Sequence, residues 1–286
     1  MNFATIVLRG GLGNQLFQLF TLLSLSWRCH YSIILPSNLS QVPSDTQRNV
    51  YWLTLLENLS VRILKDGGSI VNVGEGNTFF ASFPESQSGF TQIPCQRDKN
   101  VILNGYFQKY KYFNDNKTKL FDYLGLRRMK KKVLLENSHI LKGHTVSMHF
   151  RRGDYKKALD FHYILPIEYY MNALTVLGGK NKFLKVLVFK EFGDDVGESI
   201  NFLKMTFPLI QFIEIDNNTS DWKQLLIMSQ CVDNIIANSS FSWFGAFFNV
   251  KNNSRVVYPS KWLASGTTPE DLCLPQWTKV EVSLLN

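Results

Sequence analysis

From residue 144 onward, short apolar runs alternate with stretches of helical spacing, and this rhythm restricts the fold more than any other feature of the chain. Thr145–Phe150 alternates like a strand, and Val186–Phe189, Ile210–Ile215 and Val232–Ala237 are short runs rich in β-branched and aromatic residues. Pro166–Leu177, with proline in its first turn, and residues 196–206 and 221–229 carry helical periodicity. Strand and helix in turn imply a doubly wound parallel sheet, with ligand-binding loops at the carboxyl ends of the strands. The amino-terminal end begins the same way, with a strand at Phe3–Leu8, a helix at Leu16–Trp27 and a strand at Tyr31–Pro36. We therefore expect an α/β chain of two Rossmann-like halves, residues 1–140 and 141–286. Between them the pattern weakens. It predicts a helix near 45–58, strands at 61–64, 70–73, 79–82 and 101–108, and a basic helical stretch over 115–136.

Three polar loops sit at expected strand ends. The first, Leu8-Arg-Gly-Gly-Leu-Gly-Asn-Gln15, holds three glycines in four positions, so the backbone turns sharply and a helix begins with unpaired N–H groups. Leu16 stands where the dinucleotide fingerprint would need a glycine. The second, His149-Phe-Arg-Arg-Gly-Asp-Tyr155, gathers two guanidinium groups, an imidazole and a carboxylate; arginine suits bidentate phosphate recognition. Its bland reading is an Arg152–Asp154 pair that staples the loop. In the third, Asn238, Ser239 and Ser240 either cap the aromatic helix that follows or hold a phosphate at its N-terminus.

Charge narrows the partners without choosing one. A formal net charge of +8 and a pI near 9.2 suit nucleic acid, an anionic membrane surface or a nucleotide-sugar diphosphate. No nucleic-acid motif accompanies the charge, so no nucleic-acid partner is expected. The densest basic run, Arg127–Lys132, reads as a solvated helix face, with at most peripheral membrane contact. The four cysteines form no C-x-x-C pair, which removes the usual zinc and thioredoxin patterns and suggests a reduced, cytoplasmic chain.

Taken in order, four segments resemble the motif set of the α-1,2-fucosyltransferases of glycosyltransferase family 11. They are Gly10–Phe17, Asn104–Phe113, His149–Tyr155 and Asn238–Ala246, and Val257-Tyr-Pro-Ser-Lys-Trp262 resembles the family's closing V-x-P-x-x-W segment. The resemblance implies a GT-B-like fold, two Rossmann-like domains facing a central cleft. It implies GDP-fucose as donor, a glycan acceptor, inversion at the anomeric carbon, and neither cofactor nor metal. It places Arg151 at the diphosphate and His149 beside the nucleotide, with Arg152, Asn238, Ser239 and Ser240 on the donor side and Asp221 at the guanine. Gly11, Gly13, Asn14 and Gln15 would meet sugar or phosphate groups. Asp154 is the candidate base and His149 the runner-up. Two alternatives stay open: an inactive sugar- or nucleotide-binding module, and a transferase for another deoxysugar. The sequence departs from the family at Trp243-Phe244, where Trp-Trp is common, and at Phe192-Gly-Asp-Asp195, a displaced counterpart of an F-S-D-D segment. Asp194 and Asp195 are therefore read as a charge pair at a helix start.

Overall fold

The computed structural model describes residues 2–39, 49–63, 80–86, 89–179, 184–191 and 193–282. They form two compact units. Unit 1 comprises Met1–Arg127 with Glu270–Cys273, and unit 2 comprises Arg128–Pro269 with Leu274–Asn286. The division thus falls at Arg127/Arg128, earlier than the sequence boundary at 140/141, and a short later segment returns to unit 1.

Unit 1 is built on a four-stranded parallel sheet. Its strands are β1 (Phe3–Ile6), β2 (Ser32–Ile33), β3 (Phe80–Pro84) and β4 (Asn100–Asn104), in the order β2-β1-β4-β3. Helix α1 (Leu12–Cys29) packs on β1 and is buried almost all round, which is why its sequence is apolar on every face. Phe17 and Phe20 of α1 meet the ring of Phe113 edge to face, at centroid distances of 5.7 and 5.6 Å. His30, at φ 57, turns the chain out of α1, and Tyr31 donates its N–H back to the Ser26 carbonyl.

The 45–58 helix is not formed in its described part. Residues 52–56 are turns and Glu57–Arg62 is a 3-10 helix; residues 40–48 lie outside the described residues. Ile63 makes a single parallel bridge to Leu35, and the expected strand at 70–73 also lies outside the described residues. The basic stretch is two helices, α2 (Lys117–Tyr123) and α3 (Leu126–Glu136), broken at Gly125 with φ 68. Arg127, Arg128, Lys131 and Lys132 are exposed, the solvated face that the sequence suggests.

The reduced-chain expectation is corrected. Cys29, at the end of α1, and Cys95 are joined in a disulfide with Cα atoms 5.4 Å apart, a separation that a bridge requires. Wide sequence spacing hid the pair. Cys231 and Cys273 are free.

Unit 2 carries a six-stranded parallel sheet. Its strands are β5 (Thr145–His149), β6 (Leu184–Phe189), β7 (Ile210–Glu214), β8 (Asp233–Ile235), β9 (Val256–Pro259) and β10 (Thr278–Val280). The order β10-β9-β8-β5-β6-β7 is that of a Rossmann sheet, winding outward in both directions from the β5/β8 pair. Side chains alternate across β5. Val146 and Met148 enter a core with α5 (Ile167–Val176) and α6 (Gly197–Thr206). Ser147 turns the other way and accepts a hydrogen bond from buried Asn234 at 2.6 Å. Helices α7 (Asp221–Met228) and α8 (Ser240–Phe247) pack together and bury Trp243, Phe244 and Phe247. Among the described residues, no helix is long and apolar enough to cross a membrane.

Candidate active site

A doubly wound sheet opens a crevice where its strand order reverses, because the connections on either side leave in opposite directions. In unit 2 that point lies between β5 and β8, whose carboxyl ends lead into His149–Tyr155 and Asn238–Ser240. The neighbouring end of β6 leads into Lys190 and Glu191.

Arg151 is the centre of this cluster. Its side chain is 16% exposed, and it pairs with Asp154 at 2.5 Å and Glu191 at 3.1 Å. Burial opposes its charge, but Glu191 and Asp154 outweigh burial and raise its pKa. Asp154 therefore serves Arg151, not Arg152, and the Arg152–Asp154 staple is corrected. Arg152 turns elsewhere: its guanidinium donates to the Asp195 carbonyl and to Ser199 Oγ, at 3.3 and 2.9 Å.

Asp194 holds the loop from beneath. It is 5% exposed, and its Oδ2 accepts from the N–H groups of Arg152 and Glu191, both at 3.2 Å. A Cβ on Gly153 would come within 2.9 Å of Asp194 Oδ1, so the close approach of loop and carboxylate suits glycine. Asp194 is thus a brace for the arginine loop rather than one of a charge pair at a helix start. Asp195 stays at the start of α6, accepting from the Gly197 N–H at 3.2 Å.

His149 ends β5 on the side facing α8, with its ring 5.6 Å from Phe241. Burial and the nearby Arg151 charge push its pKa down to about 3, so the imidazole is neutral near pH 7. Its Nδ1 is buried without a hydrogen-bond partner among the described residues.

The third loop is held by its neighbours. Asn238 is 2% exposed, and its amide donates to the Tyr163 and Trp262 carbonyls at 2.7 and 2.9 Å. Ser239 caps α8 by accepting from the Phe241 N–H at 3.3 Å, and Ser240 is partly exposed in the first turn. Tyr155 bolts this loop to the arginine loop: its hydroxyl donates to the Asn238 carbonyl at 2.7 Å. Burial pushes the Tyr155 pKa up to about 12, keeping it a proton donor. Tyr169 and Tyr170 act alike, donating to the Ile236 and His149 carbonyls at 2.6 and 3.2 Å. Asp221 opens α7 and accepts from the Trp222 N–H at 2.7 Å.

In unit 1 the glycine loop follows β1, where the sheet order passes from β1 to β4. Gly10 has φ 79, and a Cβ there would meet Asn14 Nδ2 at 2.6 Å, so only glycine fits. Gly11 is the N-cap of α1 and supplies no side chain; the first helical bond runs from the Gln15 N–H to the Gly11 carbonyl. The N–H groups of Leu12, Gly13 and Asn14 thus have no acceptor within the helix. Gln15 is fully buried and braces the loop, donating to the Gly10 and Asn49 carbonyls at 2.9 and 2.8 Å. Asn14 Oδ1 accepts from Gln108 at 2.8 Å.

The structure therefore gathers His149, Arg151, Asp154, Asn238, Ser239 and Ser240 in unit 2. It adds Glu191, Asp194 and the Tyr155 bolt, which sequence reasoning missed or misread. Glu191 had a signal: it lies just past the end of the strand beside β5. Among the described residues, no group of three or more His, Cys, Asp or Glu side chains is arranged to hold a metal ion.

The fold is a GT-B-like α/β glycosyltransferase fold. One solved structure, POFUT1 in complex with GDP, matches with a TM-score of 0.52 at 12% identity, covering 90% of this chain and 97% of that one. A variant of Arabidopsis thaliana FUT1 in complex with GDP matches with a TM-score of 0.50 at 9% identity, covering 90% and 70%. The chain belongs to glycosyl transferase family 11, whose model matches residues 1–281. An O-antigen biosynthesis glycosyltransferase, WbnK, from Escherichia coli is 35% identical over 51% of this chain and 46% of its own length. An alpha-1,2-colitosyltransferase from the same organism is 29% identical over 69% of this chain and 68% of its own. The chain thus spans about half of the first of these relatives and two thirds of the second.

Proposed function

We propose that this chain transfers L-fucose from GDP-β-L-fucose to the 2-hydroxyl of a galactoside glycan, with inversion to an α-1,2 linkage and without a metal. The observation that carries this reading is Arg151, a largely buried cation at the reversal point of a Rossmann sheet, beside the start of α8, in a chain of family 11. The acceptor oxygen attacks the anomeric carbon, the bond from that carbon to the β-phosphate oxygen breaks, and GDP leaves with the electron pair. Charge grows on the β-phosphate as the bond lengthens, and a fixed cation there stabilises the transition state more than the ground state. Arg151 and the Ser239–Ser240 turn supply those donors, and neutral His149 packs beside the nucleotide. Unit 1 serves the acceptor, with backbone amides of the Gly11–Asn14 turn donating to sugar or phosphate oxygens.

When the diphosphate takes Arg151, Asp154 exchanges its guanidinium partner for the acceptor hydroxyl and accepts the proton. Glu191 shares Arg151, so paired variants separate the two carboxylates. Asp154→Asn abolishes most transfer, whereas Glu191→Gln chiefly changes donor affinity; the opposite pattern would move the base to Glu191.

The colitosyltransferase relative favours a second reading, with colitose, which is fucose lacking the 3-hydroxyl, as the transferred sugar. Incubation with labelled GDP-fucose or GDP-colitose and a panel of galactosides, followed by linkage analysis, decides between them. GDP release with neither donor would leave the inactive binding module.

A further inference from the structure

The carboxyl-terminal half of α1 lines a cavity of about 360 Å³ that lies wholly within unit 1. It is distinct from the glycine loop: the helix rises roughly 15 Å between Gly11 and Thr21. Its wall is completed by Phe90 and Gln92, and by the 110–116 segment that carries Tyr112 and Asn116.

Two buried hydroxyls aim into it. Thr21 and Ser24 are 1% and 4% exposed, and their oxygens have no hydrogen-bond partner among the described residues. Helical hydroxyls usually return to a carbonyl one turn back, as Ser26 in the same helix does to Leu23 at 3.0 Å. A buried hydroxyl without a partner is costly, so such groups normally face a ligand or ordered water.

The rest of the lining limits what that ligand can be. Phe90 and Tyr112 present aromatic rings 5.0 Å apart, an apolar surface for the C–H face of a ring. Gln92 and Asn116 contribute carboxamides, which both donate and accept. Lys111 pairs with Asp271 at 2.6 Å, the Arg28 guanidinium donates to the Ile93 carbonyl, and the Asp115 carboxylate lines the same cavity, so the lining carries charges of both signs. Hydroxyls, carboxamides and aromatic faces, in a lining whose charged groups are of both signs, fit a neutral polyol ring.

We propose that this cavity is a non-catalytic carbohydrate-binding site that takes one neutral sugar ring of a glycan. It goes beyond the transfer reaction and rests on that reading only in the choice of a glycan as ligand.

The test uses the full chain and saturation-transfer NMR titrations with methyl β-D-galactopyranoside, methyl α-L-fucopyranoside and N-acetyllactosamine, with GDP present. Thr21→Val with Ser24→Ala removes both hydroxyls and no hydrogen bond within the protein. Loss of two ligand hydrogen bonds should weaken sugar binding about tenfold or more. The melting temperature should hold or rise, because two unpartnered buried hydroxyls are gone. Ser24→Ala alone should give a smaller loss. Arg151→Ala should abolish transfer and leave this binding intact, which separates failure of the site from failure of the proposed reaction. Absence of binding by the unaltered chain at millimolar sugar overturns the proposal. So does equal affinity in the double variant.

Discussion

Two loops occupy equivalent positions in the two units, each at a reversal in a parallel sheet, and they are built from different chemistry. The unit 2 loop is ionic: Arg151 pairs with Asp154 and Glu191, and Asp194 supports the backbone. The unit 1 loop is held chiefly by neutral groups: Gly10 at positive φ, a helix start without a side-chain cap, and Asn14, Gln15, Gln18 and Gln108 tying the turn together. The same topology thus yields one loop built on ion pairs and one built chiefly on neutral groups. The strand ends decide where a site forms, and the loop residues decide what it binds.

The sharpest way to break the comparison is Arg151→Ala. Transfer should fall by about a hundredfold or more with the fold retained, since one preorganised charged donor is worth that much; near-normal turnover in a donor-saturated assay would dismiss the ionic loop as the donor site. Removing the disulfide probes unit 1 alone. Cys29→Ser with Cys95→Ser opens a loop of 66 residues in sequence separation, which should cost unit 1 about 4 kcal/mol. Hydrogen exchange should then rise in unit 1 and not around β5.

Asn14→Ala is expected to act more mildly, reducing transfer more than GDP affinity; an unchanged rate would make the neutral loop a turn and nothing else. The smallest effect concerns His149. Its folded pKa near 3 lies below its ordinary 6.5, so between those values the unfolded chain binds the extra proton. Stability should therefore decline as pH falls from about 6.5 towards 3, and His149→Gln should flatten that slope in acid melts.

The sequence revealed the unit 2 strands well, because β5 to β8 are short apolar runs and α5 to α7 keep helical spacing. It misread residues 49–58 because Trp52, Leu55, Leu56 and Leu59 are buried from turns and a 3-10 helix, which share their apolar content with an α-helix. The motifs led to Arg151 and the Ser239–Ser240 turn, but not to their partners. Which carboxylate reaches which guanidinium depends on the loop path, and Asp154 stands close in sequence to both arginines. Glu191 and Asp194 arrive from beyond another strand, so their roles exist only once β5 and β6 are paired. The Cys29–Cys95 bridge is hidden for the same reason, its two ends brought together by tertiary packing across unit 1.

The pairing of Arg151 with two carboxylates means that the protein supplies its own counter-ions. A stray inorganic anion has to displace Asp154 and Glu191 from one guanidinium before it can settle there. Under the proposed function, a diphosphate that also reaches the Ser239–Ser240 turn would bring additional contacts to that exchange. Under the proposed donor role, the resting ion pairs would act as a threshold that a nucleoside diphosphate clears more readily than a single phosphate.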